Sequence, residues 1–352
     1  MLIRDEFKYL LYTERLKDII DKKLINPVCV EIGLTTRCDN KCIFCAFDWL
    51  MKEQHIDIDP TVLQSAIDDM YGMGVQGVSI CGNGEPLLYR NFVDIVRRIQ
   101  RYNIDIGLVT NGGLLHKYLD VPEYAKMLAE FTYIRISLDA GDSLTYKDIH
   151  GVDRFDLVIE NIRRLVLIPD RKVTVGVHYT LCENNKDSLY RAVVLCKNMG
   201  VDYFHVGPVV KSTKFSENLP KPYLMYPIES TSLTKNYSND RFKVFVSDNR
   251  FEDISGLDKT TAGYDLCRAQ NYFTIIGADG GVYPCCHTIG NPKYCFGNIN
   301  EQYFKDIWFS EKRKNIMYNI DFKDCSLSCN KKWANRMLHS LFNPLLHPSF
   351  LG

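Results

Sequence analysis

The chain of 352 residues contains no apolar run long enough, about 18 residues, to cross a bilayer as a helix. Its first residues, Met1-Leu-Ile-Arg-Asp-Glu, meet charge at once and lack the apolar core and small-residue cleavage site of a secretory signal. No surplus of either charge exists: 43 Lys and Arg stand against 43 Asp and Glu, for a formal net charge of +0, without a dense basic run. That weighs against a dedicated nucleic-acid binder. Internal repeats and low-complexity stretches are lacking too, which removes solenoid and linker-like architectures. These absences lead us to expect a cytoplasmic globular protein with no membrane or nucleic-acid partner.

What is present in excess is cysteine, 13 residues in all. In a reducing compartment clustered thiols point to metal binding or catalysis rather than disulfides. The densest group is Cys38-Asp-Asn-Lys-Cys42-Ile-Phe44-Cys45, directly after an apolar strand. A closed cubane or structural zinc site asks for four protein ligands, and this loop offers three. A cubane held here keeps one iron open to a small-molecule ligand; a zinc loop with a distant fourth ligand would have the same spacing.

From Pro27 onward short apolar strands alternate with amphipathic helices. Strands are expected at 28–34, 76–80, 105–109, 133–138, 172–180 and 201–206, with helices between them, one opened by Asp59-Pro60 as N-cap and first-turn proline. Six such pairs imply an α/β fold built on a parallel sheet, either a partial (β/α)6 TIM-like barrel or an open flavodoxin-like sheet. The expected organisation is a helical cap over 1–26, the barrel over 27–210, a polar linker over 211–260, a small α+β cluster-binding domain over 261–335 and a tail over 336–352. The small domain opens on a hairpin turned at Ala278-Asp-Gly-Gly281, and one helix is expected over 301–318.

The C-x3-C-x2-C spacing, with Phe44 before the last thiol, resembles the signature of the radical S-adenosylmethionine (radical SAM) superfamily. Cys81-Gly82-Asn83-Gly84-Glu85-Pro86, after the second strand, is similar to that family's Gly-Gly-Glu-Pro turn. The resemblance implies a [4Fe–4S] cluster on Cys38, Cys42 and Cys45 that binds S-adenosylmethionine. It further implies reductive cleavage of that cosubstrate, hydrogen abstraction from a substrate, and a reductase such as a flavodoxin or ferredoxin as electron donor. Backbone of Gly82, Asn83 and Gly84 and the carboxylate of Glu85 would hold the cosubstrate ammonium. Asn111 and Ser137, in turns that also resemble family stretches, would bond its ribose and carboxylate, and Phe44 would pack near the adenine.

Cys267, Cys285, Cys325 and Cys329 share the second domain with Cys286 and Cys295. Gly280-Gly-Val-Tyr-Pro-Cys285, Cys325-Ser-Leu-Ser-Cys329 and Gly297-Asn-Ile299 before Asp306-Ile-Trp308 resemble the SPASM/twitch extension. That likeness implies one auxiliary [4Fe–4S] cluster on Cys267, Cys285, Cys325 and Cys329, with Cys286 able to replace Cys285. A four-thiolate zinc site is the other reading of the same set.

The period of two along strand five separates Val173, Val175, Val177, Tyr179 and Leu181, facing the helices, from Thr174, Gly176, His178, Thr180 and Cys182, facing the lumen. A thiol S–H is weak enough to return hydrogen to a carbon radical, so Cys182 is the candidate donor for an epimerisation; its other reading is a small filler. Arg135, Asp139, His178, Tyr203 and His205 are further candidates for substrate contact. Only about 27 residues precede the first strand, fewer than an independent peptide-binding domain needs. The expected substrate is therefore a small polar metabolite, such as a sugar, aminocyclitol or nucleoside, undergoing dehydrogenation or epimerisation. Modification of a ribosomal peptide is the alternative, and a zinc-binding interaction module the remote one.

Overall fold

A computed structural model describes residues 5–20, 23–47, 55–209, 219–255, 263–326, 328–329 and 331–342. Its centre is one ten-stranded sheet in the order β10-β9-β8-β1-β2-β3-β4-β5-β6-β7. The strands are β1 (Cys29–Ile32), β2 (Gly77–Ile80), β3 (Asp105–Thr110), β4 (Tyr133–Ser137), β5 (Thr174–Leu181), β6 (Tyr203–Pro208), β7 (Lys243–Val246), β8 (Phe273–Ile276), β9 (Gly281–Tyr283) and β10 (Gly297–Asn298). Neighbours from β8 through β1 to β7 are all parallel, while β9 and β10 join antiparallel. No helix among the described residues is long and apolar enough to cross a membrane.

The six expected strands are there, and the sheet extends past both ends of that set. The stretch read as a linker carries a helix at Pro227–Tyr237, the strand β7 and a helix at Asp248–Ser255. Its Lys-Val-Phe-Val core is apolar enough for a strand, but its polar flanks conceal that from a composition reading. On the other side β8, the first strand of the supposed second domain, pairs in register with β1, Glu31 opposite Ile275. The two regions thus share a sheet. The expected helix over 301–318 is broken into Phe304–Trp308 and Glu311–Tyr318, because the Ser310 hydroxyl caps the second piece by accepting from Arg313 N. The proposed boundary at 335 falls inside a helix, Lys332–Phe342.

Alternation along the strands decides the two faces. Val30, Ile32, Ile134, Ile136, Val175, Val177, Phe204 and Val206 are fully buried under the helices. Glu31, Arg135, Ser137, His178, Thr180, Tyr203 and His205 line the inner face and stay half-buried. Strands that are not neighbours meet there: the Tyr133 hydroxyl lies 2.8 Å from Ser79 Oγ, spanning β3. It can do so because Gly107 has no Cβ, which would otherwise fall within the Tyr133 ring; Gly176 makes the same room for Tyr203. The two tyrosine rings floor the inner face.

Replacing Gly107 by Ala should therefore destabilise the fold by about 1–3 kcal/mol through overpacking. Urea unfolding measures this, and adding Tyr133→Val should recover part of the loss; an unchanged midpoint in Gly107→Ala would mean the ring does not sit there.

Candidate active site

The cluster loop is held from two sides. Lys41 N donates to His150 O at 2.8 Å and Ile43 N to Ile149 O at 3.0 Å, stitching the loop to the end of the helix Ser143–His150. On the other side, Glu85 N donates to Arg37 O at 2.8 Å. This approach requires glycine at 84, since a Cβ there would collide with the Arg37 carbonyl. Asp39 is fixed in turn by Asn111 Nδ2 at 2.8 Å and by an ion pair with Arg154.

Cys38, Cys42 and Cys45 share one electrostatic neighbourhood. Burial pushes Cys38 up to about 12 and Cys42 well above the ordinary thiol value. Free thiols are consequently neutral here, and metal loading would have to displace their protons. Phe47 N points at Cys45 Sγ from 3.4 Å, an amide–sulfur contact of the kind that stabilises a ligating thiolate. Three half-buried thiols, the glycine cradle and the amide donor fit a cluster held on three corners. Among the described residues no three Cys, His, Asp or Glu side chains close tightly enough to hold a single metal ion.

Several site residues have structural work besides, or instead of, cosubstrate contact. Glu85 is 2 % exposed; Oε1 accepts from Thr110 Oγ1 at 2.6 Å and Leu87 N at 3.1 Å, and Oε2 from Asn111 N at 2.8 Å. Burial raises its pKa to about 7 in spite of these donors. Its carboxylate ties the turn after β2 to the turn after β3, leaving little acceptor capacity for an ammonium. Asn83, in the left-handed region at φ 59°, accepts from Ala278 N at 3.1 Å and so joins the turn to the β8–β9 hairpin. Gly82 also takes positive φ, 75°. Asn111 is occupied by Asp39 and by Gly113 N. Ser137 sits on the inner face opposite His178.

Cys182, the candidate hydrogen donor, lies against the cluster loop. It is fully buried in a small cluster with Ile149 and Val209, against Ile43 and Phe44 of the cluster loop. Phe44 belongs to the same packing and meets His150 edge-on at 6.4 Å.

His150 and Asp139 are the residues that sequence reading passed over or left general. His150 Nδ1 stands 3.0 Å from Cys42 Sγ while Nε2 bonds Leu138 O at 3.0 Å, and Asp139 Oδ2 lies 3.5 Å from Nε2. Burial lowers His150 to about 4 and raises Asp139 to about 7, so a neutral imidazole backs the thiol. The signal for its helix was present: Asp142 as N-cap and Gly151 as left-handed C-terminal residue bracket 143–150.

In the C-terminal region Cys267, Cys285, Cys325 and Cys329 fall within one another's electrostatic reach. Burial raises Cys267 to about 11 and Cys285 to about 12. Asn335, fully buried, donates Nδ2 to Cys267 Sγ at 3.3 Å and accepts from Ala269 N at 2.8 Å. Lys331 N approaches Cys329 Sγ at 3.4 Å. Cys286 has Cys285 and Cys329 as well as Glu31 and Cys81 within electrostatic reach, and Cys295 Sγ donates to Gly297 O.

With this geometry in view, residues 32–207 match the radical SAM superfamily and residues 267–330 the SPASM iron–sulfur cluster-binding domain. The chain belongs to the radical SAM superfamily. It is 31 % identical over 287 residues, 79 % of this chain and 89 % of the relative, to a protein of Saccharolobus islandicus named probable GTP 3′,8-cyclase. It is 25 % identical, over 84 % of this chain and 86 % of the relative, to a tungsten-containing aldehyde ferredoxin oxidoreductase cofactor-modifying protein of Pyrococcus furiosus. Streptococcus suis SuiB, solved with its precursor peptide SuiA, has the same fold: TM-score 0.68 at 19 % identity, covering 94 % of this chain and 75 % of that one. The family brings S-adenosylmethionine, a [4Fe–4S] cluster and auxiliary iron–sulfur chemistry, which overturns the zinc-module reading.

Cys285→Ala should remove about half of the bound iron if each region holds one cubane. Cys286→Ala should leave the iron content unchanged, as read by iron and sulfide assays; the opposite pattern would exchange their roles.

Proposed function

We propose that this radical SAM enzyme acts on a small polar metabolite, removing hydrogen from one of its carbons in a dehydrogenation or epimerisation. The observation that carries this reading is the inner face. It is a surface of Glu31, Ser79, Arg135, Ser137, His178 and His205 over a tyrosine floor. Such a surface suits a molecule dense in hydroxyls and amines, a sugar, aminocyclitol or nucleoside, better than apolar side chains. The relative named for GTP, similar over most of its length, supports a nucleoside-like compound. Peptide modification is the second reading, and SuiB, solved with its peptide, gives it support through fold alone.

Cys38, Cys42 and Cys45 would hold the cluster that binds S-adenosylmethionine, and Cys267, Cys285, Cys325 and Cys329 one auxiliary cluster. Bound there, these groups supply the one-electron chemistry that takes a hydrogen atom from carbon. The chain's own part is placement and dryness. Tyr133 and Tyr203 close the floor against water, and Ser137 with His178 presents hydrogen-bonding atoms at neighbouring positions of β4 and β5. Glu85, Asn111 and Asp39 hold the loop that sets the distance.

The test is formation of 5′-deoxyadenosine by the anaerobically reconstituted, reduced protein, with nucleosides, nucleotides, sugars and peptides offered in turn. A nucleoside or sugar should raise the rate above the substrate-free level and peptides should not; stimulation by peptides alone would transfer the assignment to the second reading.

A further inference from the structure

One wall of the inner face is basic beyond anything the fold uses. The register sets Ser137, His178 and His205 side by side across β4, β5 and β6, with Arg135 two residues below Ser137. The two imidazole rings are 4.9 Å apart, and His205 Nε2 lies 2.8 Å from Ser247 Oγ. Arg250, on the helix after β7, reaches over Gly207: a Cβ placed there would stand 3.3 Å from both Arg250 Nη1 and His178 Cε1. Arg250 Nε also donates to Ser328 Oγ at 3.2 Å, which sets this wall beside Cys329.

Acidic groups near the wall do not use it up. Asp253 is engaged by Lys332 Nζ at 2.6 Å. Glu31, raised by burial, is shared between Lys331 and Arg135. The remaining neighbours are Cys81 and Cys286, thiols that burial keeps neutral, Cys329, proposed as a ligand of the auxiliary cluster, and His287, which burial lowers to about 4. Arg135 Nε and His178 Nδ1 are buried with no hydrogen-bond partner among the described residues. Buried polar atoms are nearly always satisfied, and a buried charge is costly unless paired. Two guanidiniums and an imidazole nitrogen converge here with bonding capacity to spare.

We propose that this wall binds an anionic group of the substrate, a phosphate or a carboxylate. Arg135 and Arg250 supply the charge and His178 a hydrogen bond. The inference rests on the inner face being the substrate site and narrows the metabolite to one that carries an anion. Held by Arg250 beside Ser328, the anion would fix one end of the molecule and so select which carbon is presented for reaction.

Calorimetric titration of the anaerobically reconstituted protein with inorganic phosphate and with succinate tests this. One of the two should bind saturably and more weakly at high salt, phosphate identifying a phosphate ester and succinate a carboxylate. Arg135→Gln and Arg250→Gln should each weaken that binding by about tenfold or more. Arg135→Lys, which keeps the charge, should recover part of it, and far-ultraviolet circular dichroism checks that each variant is folded. Equal affinity in wild type and both glutamine variants, or no binding of either anion by wild type, would overturn the proposal. Conversion of S-adenosylmethionine by the same wild-type preparation tests the enzyme reading separately. Its absence sinks that reading, whereas its presence with anion binding indifferent to both arginines sinks only this one.

Discussion

Everything at the centre of this molecule depends on one buried carboxylate. Glu85 leaves water to accept hydrogen bonds from Thr110, Asn111 and Leu87, and those bonds lock the turn after β2 to the turn after β3. From Asn111 the tie continues to Asp39 inside the cysteine loop, and Arg154 closes it from the far side. With Gly84 pressed against the Arg37 carbonyl, three thiols on an otherwise irregular loop acquire a fixed position. A buried carboxylate with several donors is expensive to break, which suits it to hold a reaction geometry.

The auxiliary region is built into that frame. Its first strand, β8, is hydrogen-bonded to β1, and Asn83 reaches from the glycine turn to Ala278. The fully buried Arg313 bonds the carbonyls of Trp308 and Gln270 and so anchors the short helix that follows Cys267. The two groups of thiols are thus parts of one scaffold.

Much of this was legible in the sequence, and the exceptions have physical reasons. Cysteine spacing is local, so Cys38, Cys42 and Cys45 declared themselves, and the period of two in β5 separated helix-facing valines from His178 and Thr180. Glu85 was readable as important but not as a tie, because Thr110 and Asn111, the partners that make it one, lie on another turn, 25 and 26 residues away. His150 stands 108 residues from Cys42, and no local pattern announces their contact. Arg250 was lost in a stretch whose Ser, Asn and Lys suggested a linker. Cys182 lies one residue past the end of β5, where strand alternation no longer says which face its side chain takes.

The account stands or falls on two separate iron–sulfur sites in one chain. Iron and acid-labile sulfide per chain should be measured after anaerobic reconstitution in wild type and in the Cys38/Cys42/Cys45→Ala triple variant. Two cubanes predict about eight irons falling to about four. Iron content that is the same in both proteins would contradict the assignment of a cluster to the loop after β1.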